Sequence, residues 1–273
     1  MTRLSSIASA CLGAAFACFA PAASTAQSLD GIVEAHVLPG ARLASGGHMA
    51  AIELRLAPGW KTYWRSPGEG GIPPDFDWSG SQNVAMIQPH WPVPEVYWQN
   101  GLRSIGYQSV VTVPILVMPD VAGGEISLSG DMRIGVCEEV CVPVTLRIEA
   151  VLPAVTGDMN PRIAAALSDR PMTADEAGVG AVTCKIAPIA DGMRVTYSVA
   201  MPVMGGQEEA VVEFADPTVW VAEPSARRDG GQLLVVAELV PSDAAPFALA
   251  RDDLRLTVFG NGQAVDIRGC SAG

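Results

Sequence analysis

The chain has 273 residues, with 17 Lys and Arg against 29 Asp and Glu, and a formal net charge of −12. So acidic a chain repels phosphate backbones, which argues against nucleic acid as a partner. Lys61 and Lys185 are its lysines, so no basic patch exists for anionic lipid. The length suits two modest domains better than one.

Residues 1–26 read as a secretory signal peptide. Arg3 supplies the positive end, an apolar stretch runs from Ile7 to Ala20, and Ser24-Thr25-Ala26 makes a small-x-small cleavage site. The mature chain then begins at Gln27 and is expected to be soluble in the periplasm. The apolar stretch is short, and no later segment reaches the ~18 apolar residues of a membrane span.

From Gln27 to about Leu152 the pattern is that of strands. Ile52, Leu54 and Leu56 alternate with Ala51, Glu53 and Arg55. Val110 to Val117 reads as a buried strand broken by Pro114. Leu146-Arg147-Ile148-Glu149 alternates again, with Gly and Pro at the spacing of sandwich turns. Pro67 to Gln108 differs. It is rich in Pro, Gly and aromatic residues, shows little periodicity, and reads as one long irregular segment with a function. Eight of the ten Trp and Tyr residues lie between 60 and 107. Core packing and a capping or docking surface account for them equally well. Trp60, Tyr63, Trp64, Trp91 and Trp98 are the candidates for a cap or docking face.

Residues 156–180 read as a linker with one small helix. Asn160 caps it, Pro161 opens it, and Asp169-Arg170-Pro171 stops it. From Ala181 the alternation returns through Val182, Cys184, Ile186 and Met193, Val195, Tyr197, Val199, then Leu233 to Leu239 and Leu254 to Phe259. Asn261-Gly262 is a hairpin signal. The expected fold class is all-β: two immunoglobulin-like sandwiches, over 27–155 and 181–273.

Cleavage of the signal leaves Cys137, Cys141, Cys184 and Cys270, for which three pairings are open. Cys137 and Cys141 flank a tight turn between two strands, where facing residues come within disulfide reach. Proximity favours that pair and leaves Cys184 with Cys270. Exported cysteines are oxidised unless something reduces them. In the chain-entropy picture, closing the long loop removes roughly 4–5 kcal/mol from the unfolded state, and closing the short loop about 2 kcal/mol. The long bridge therefore reads as a structural staple. The short bridge staples almost nothing and reads as redox-active. Glu138 and Glu139 lie between its cysteines. Their charge disfavours a thiolate, which suits a reductant, and two solvated turn carboxylates are an equally good reading.

Other chemistry finds little support. His36, His48 and His90 lack metal-ligand spacing. Met201 and Met204 resemble a copper-binding pair only loosely and fit an edge-strand core better. There is no G-x-S-x-G, P-loop or dinucleotide fingerprint. No cofactor or resident metal is implied.

Three stretches carry a family resemblance: Gly59-Trp60-Lys61-Thr62-Tyr63-Trp64-Arg65-Ser66-Pro67-Gly68, Gly130-Asp131-Met132-Arg133-Ile134-Gly135-Val136-Cys137, and Cys141-Val142-Pro143. They resemble the periplasmic N-terminal domain of the thiol:disulfide interchange protein DsbD, in particular its ScsB-like branch. The resemblance covers roughly residues 30–155. The second domain is more loosely similar to the extra β-domain of that branch. The resemblance implies an immunoglobulin-like domain whose cysteines, here Cys137 and Cys141, shuttle between disulfide and dithiol. It implies an aromatic-bearing cap loop, for which the 67–108 segment is the counterpart, and Cys141 as the nucleophile toward substrate. DsbD-type members space the two cysteines more widely. No membrane span and no thioredoxin-like C-x-x-C domain is found here. The expected donor is thus a separate membrane thiol transporter of DsbD/CcdA type, and the expected acceptors are periplasmic thioredoxin-like or disulfide-bonded proteins. The chain reads as a protein-disulfide reductase component. The alternatives are a copper-binding or copper-tolerance module with Cys137 and Cys141 as soft ligands, and a non-catalytic adaptor with structural disulfides.

Overall fold

The computed structural model describes residues 31–99, 101–154, 157–243 and 246–273. The expected signal peptide lies outside the described residues. Among the described residues, ten strands precede the one α-helix: β1 (Val33–Arg42), β2 (His48–Leu56), β3 (Lys61–Tyr63), β4 (Asp75–Asp77), β5 (Met86–Pro89), β6 (Glu95–Gln99), β7 (Leu102–Gln108), β8 (Val110–Met118), β9 (Ile126–Cys137) and β10 (Cys141–Leu152). They form two sheets, ordered β1-β2-β8-β5 and β10-β9-β3-β7-β6, with β4 also on β9. Ile52, Leu54, Val113 and Ile115 of the first sheet share a core with Trp64, Ile105, Met132 and Val136 of the second. The period of two along each strand is what sends these side chains inward.

Two expectations need correction. Strand β8 is not broken at Pro114, which keeps its place opposite Ala51, while its carbonyl accepts from the His90 amide at 2.7 Å. A proline removes one ladder donor, and β8 keeps its pairing on both sides of it. The 67–108 segment is not irregular throughout, since β4 to β7 lie within it. The first two of these have 3 and 4 residues, too few to display alternation. Strands β6 and β7 pair antiparallel with Gln99 opposite Leu102, and Gly101 beside that closing pair takes φ +80°.

The helix α1 (Pro161–Ser168) begins as its sequence implies, with the Asn160 side chain accepting from the Arg162 amide. Its Ile163 is fully buried against Leu38, Met49 and Ala51 of the first sandwich. A short strand β11 (Met172–Thr173) follows, then β12 (Val182–Pro188), β13 (Met193–Ala200), β14 (Glu209–Phe214), β15 (Val219–Val221), β16 (Ser225–Asp229), β17 (Gln232–Pro241), β18 (Leu254–Gly260), β19 (Gln263–Arg268) and β20 (Ser271–Ala272). The second sandwich has sheets ordered β11-β19-β18-β14 and β15-β17-β13-β12-β20, with β16 on β17. The connecting segment is therefore fastened at both ends: its helix packs on the first sandwich and β11 extends a sheet of the second. Cys184 and Cys270 are bridged, with Cα atoms 5.7 Å apart.

The two sandwiches meet along a defined face. Register pairs Glu209 with Phe259, Val211 with Thr257 and Glu213 with Arg255, so these side chains share one face of the β14–β18 pair. Val211 and Phe259 from that face, with Ala264, join the core of the first sandwich. The Phe259 ring meets Trp64 edge to face at 5.4 Å.

Glu53 shows how the helix is held. It is 1% exposed, and both Arg55 and Arg162 bond to its carboxylate. Burial pushes this carboxyl up, but the two guanidinium groups outweigh it and hold it below the usual carboxylate range. A depressed carboxyl stabilises the fold above its unfolded value and loses that contribution as pH falls through its folded value. Glu53→Gln should therefore cost about 2 kcal/mol near neutral pH, the worth of charge-assisted hydrogen bonds to guanidinium groups that are half exposed. The deficit should shrink below pH ~4.3, the unfolded range for Glu. Denaturant melts of both proteins across this window check it.

Candidate functional site

Strand β9 leaves the core, turns through Glu138-Glu139-Val140 and returns as β10. Cys137 and Cys141 are register partners at the end of this hairpin, bridged, with Cα atoms 4.1 Å apart. The two sulfurs differ in surroundings. Cys137 is 4% exposed, whereas Cys141 lies on the exposed side and Val140 at the turn tip is 71% exposed. The pair is thus a clip at an accessible turn, with one half covered.

Alternation explains what covers it. Lys61 pairs with Cys137 across β3 and β9, and the same face of β3 carries Tyr63. Tyr63 pairs with Gly106 on β7, so Leu102 and Ser104 share that face too. This face points away from the core. Lys61, Tyr63, Gly70, Leu102, Ser104 and Glu139 line a cleft of about 170 Å³ with both cysteines. The Tyr63 ring lies over Gly135, where an added Cβ would fall 3.0 Å from the ring and 2.7 Å from the Ile72 Cβ. Glycine at this position makes room for the tyrosine.

The Tyr63 hydroxyl sits 3.0 Å from the Cys141 Sγ and 3.2 Å from the Gly70 carbonyl oxygen. Burial raises this phenol, so it keeps its proton through neutral pH. A single proton serves one acceptor at a time. Opposite a disulfide the carbonyl is the better acceptor, and opposite a thiolate the charged sulfur is. Lys61 is 9% exposed, its Nζ lies 5.4 Å from the centre of the Tyr97 ring, and burial lowers its pKa. A hydroxyl donor therefore meets the Cys141 sulfur, in a cleft that Lys61 also lines.

The aromatic candidates separate. Tyr63 touches the cysteine pair. Trp64 is fully buried and Trp91 is 9% exposed, both in the core, so neither is placed to cap or dock. Their indoles face inward because β3 alternates and because Trp91 stacks on Tyr107 at 6.4 Å. Trp60 is partly buried against the same core. Trp98 is 57% exposed, but its register with Arg103 sets it on the face opposite the cleft. The loop 67–71 does reach the cleft, through Gly70. Leu102 and Ser104 carry no motif in the sequence, and Lys61 lies in a resembling stretch with no role assigned to it there. The spacing 61, 63 and 102, 104 becomes meaningful once β3 is paired with β7.

Residues 34–153 match the family described as the N-terminal domain of thiol:disulfide interchange protein DsbD. The matched residues span nearly all of the first sandwich. Beyond them, the likeness in fold extends over both sandwiches. The N-terminal periplasmic domain of ScsB from Proteus mirabilis superposes with a TM-score of 0.64, over 88% of this chain and 93% of that one, at 22% identity. No curated protein matches the chain by sequence. Among the described residues, no helix is long and apolar enough to cross a membrane.

The hydroxyl beside Cys141 yields a direct expectation. Tyr63→Phe should slow iodoacetamide alkylation of the reduced Cys141 about tenfold at neutral pH, as the loss of a charge-assisted hydrogen bond worth ~1.5 kcal/mol requires. Rates followed by mass spectrometry of the Cys141 peptide check this.

Proposed function

We propose that this protein is a periplasmic thiol–disulfide exchange component, exported by its first 26 residues, that carries reducing equivalents through Cys137 and Cys141. The supporting observation is an accessible disulfide at a hairpin end of a DsbD N-terminal domain, with one sulfur open to attack and a protonated hydroxyl 3.0 Å from it. The bridge closes a separation of 4 residues, so its contribution to stability is small.

The cycle runs as two exchanges. A thiolate of the donor attacks the Cys141 sulfur, a mixed disulfide forms, and Cys137 leaves as a thiolate beside Lys61. The donor's second thiol attacks its own sulfur in that mixed disulfide and releases Cys141. The donor dithiol becomes a disulfide, and the pair gains two electrons and two protons. The Cys141 thiolate, with Tyr63 donating to it, then attacks a substrate disulfide. Cys137 resolves the new mixed disulfide and the 137–141 bridge is restored. A membrane thiol transporter of DsbD/CcdA type is the proposed donor. Thioredoxin-like or disulfide-bonded periplasmic proteins are the proposed acceptors.

This order makes the two single variants unequal. Cys137→Ala should accumulate covalent adducts through Cys141, because no resolving thiol remains. Cys141→Ala should accumulate far fewer, because Cys137 is covered. The double variant should trap nothing and melt within about 2 kcal/mol of wild type. Non-reducing gels of the tagged protein in its own host give the readout. Absence of reductant-sensitive adducts, with a double variant that no longer folds, would leave the pair as a structural clip.

A further inference from the structure

We infer that the second sandwich controls the reactivity of the 137–141 disulfide through two positioning residues, Arg65 and Arg103. The inference rests on the exchange reading above and extends it to a part of the chain far from the cysteines.

The argument starts on β3. Its outward residues Lys61 and Tyr63 face the disulfide, and the next two residues, Trp64 and Arg65, face the second sandwich. The Trp64 amide donates to the Ile105 carbonyl at 2.9 Å, so the chain is still held to β7 here. Arg65 makes a fork onto Glu213, with Nε 3.0 Å and Nη2 2.9 Å from its two oxygens, and reaches the Thr257 hydroxyl at 3.3 Å. Its guanidinium lies 3.9 Å above the Trp64 ring. Trp64 alone separates Arg65 from Tyr63, whose hydroxyl touches Cys141.

The second tie runs through β7. Leu102 and Ser104 line the cysteine cleft, and Arg103 between them points to the other face. It is 2% exposed, donates to the Glu209 carboxylate at 3.1 Å and to the Ala210 carbonyl at 3.0 Å, and has Glu223 at 3.3 Å. The Arg103 backbone in turn holds the loop that reaches the cleft. Gly68 takes φ +78°, and an added Cβ there would sit 2.8 Å from the Arg103 carbonyl oxygen. The Pro67 carbonyl accepts from the Ile105 amide at 2.9 Å. Ser66 to Glu69 also form one wall of a cleft of about 430 Å³, whose other wall is Val211 to Phe214 and Trp220 to Pro224. The loop thus has the second sandwich on one side. At Gly70 it meets the hydroxyl that contacts Cys141.

Both ties end on carboxylates of β14; one begins two positions from Tyr63, and the other begins between Leu102 and Ser104 of the cysteine cleft. A bidentate guanidinium–carboxylate pair fixes orientation as well as distance. Loosening either tie should free the 67–71 loop and the Tyr63 hydroxyl together, and so expose the sulfurs to an incoming thiolate.

A small-thiol kinetic experiment on the full chain tests this. Reduction of the 137–141 disulfide by dithiothreitol is followed by alkylation and peptide mapping in wild type, Glu213→Gln, Tyr63→Phe and the double variant. Glu213→Gln should speed reduction about fivefold, within the range that packed networks transmit. Arg65→Lys, which keeps the charge and loses the fork, should give an intermediate rate. The cycle supplies the readout that a structural role would not move: in the Tyr63→Phe background, Glu213→Gln should change the rate by less than about twofold. If Glu213→Gln does not fold, Glu209→Gln tests the same coupling through Arg103. Equal rates in all folded variants would overturn the inference. So would an effect of Glu213→Gln that is the same with and without the Tyr63 hydroxyl. Dithiothreitol needs no partner protein, so this failure is separate from a failure to trap acceptors.

Discussion

The arrangement depends on one constraint, the alternation of side chains along the four residues from Lys61 to Trp64. A strand shows successive side chains to opposite faces. Here one face is the solvent side of the β10-β9-β3-β7-β6 sheet and the other is its core. Lys61 and Tyr63 fall on the solvent side and meet the disulfide. Thr62 and Trp64 fall inside, and Trp64 meets Phe259 of the second sandwich. A slip of one residue would send the tyrosine into the core and the tryptophan into solvent. The buried indole, with its aromatic partner, therefore fixes the hydroxyl opposite Cys141.

The two disulfides serve opposite ends. The 184–270 bridge spans 86 residues and ties β12 to the chain entering β20, where Cys184 is 1% exposed. Its effect is on the unfolded chain, whose freedom it removes. The 137–141 bridge spans 4 residues already brought together by a hairpin, so it constrains little that the ladder does not. A bond that contributes little to folding can be broken and remade without unfolding the domain around it. Exchange chemistry needs that property. In the proposed exchange, the asymmetry between a covered Cys137 and an exposed Cys141 sets the order of events.

Much of this was legible in the sequence, for identifiable reasons. The all-β class followed from period-two alternation in long strands such as β9 and β13. The Cys137–Cys141 turn followed from apolar alternation on both sides of it. The helix start at Asn160-Pro161 followed from capping chemistry. What was not legible depends on pairing between distant strands. Leu102 and Ser104 are unremarkable until β3 pairs with β7, and that pairing is what sets Lys61 beside them. Trp64, Trp91 and Trp98 read alike in sequence, and only register separates two core residues from one exposed on the far face. The ties from Arg65 to Glu213 and from Arg103 to Glu209 join positions 148 and 106 residues apart. No local pattern marks them. The 67–108 segment shows no period in the sequence because its first strands are too short to display one.

The most direct test of the central claim is a redox titration of the mature protein in dithiothreitol buffers, with each cysteine quantified by alkylation and mass spectrometry. The account predicts that Cys137 and Cys141 become labelled together at the more oxidising end of the series, while Cys184 and Cys270 stay bridged and the protein stays folded. Labelling of Cys184 and Cys270 first, or of all four cysteines only on unfolding, would contradict it.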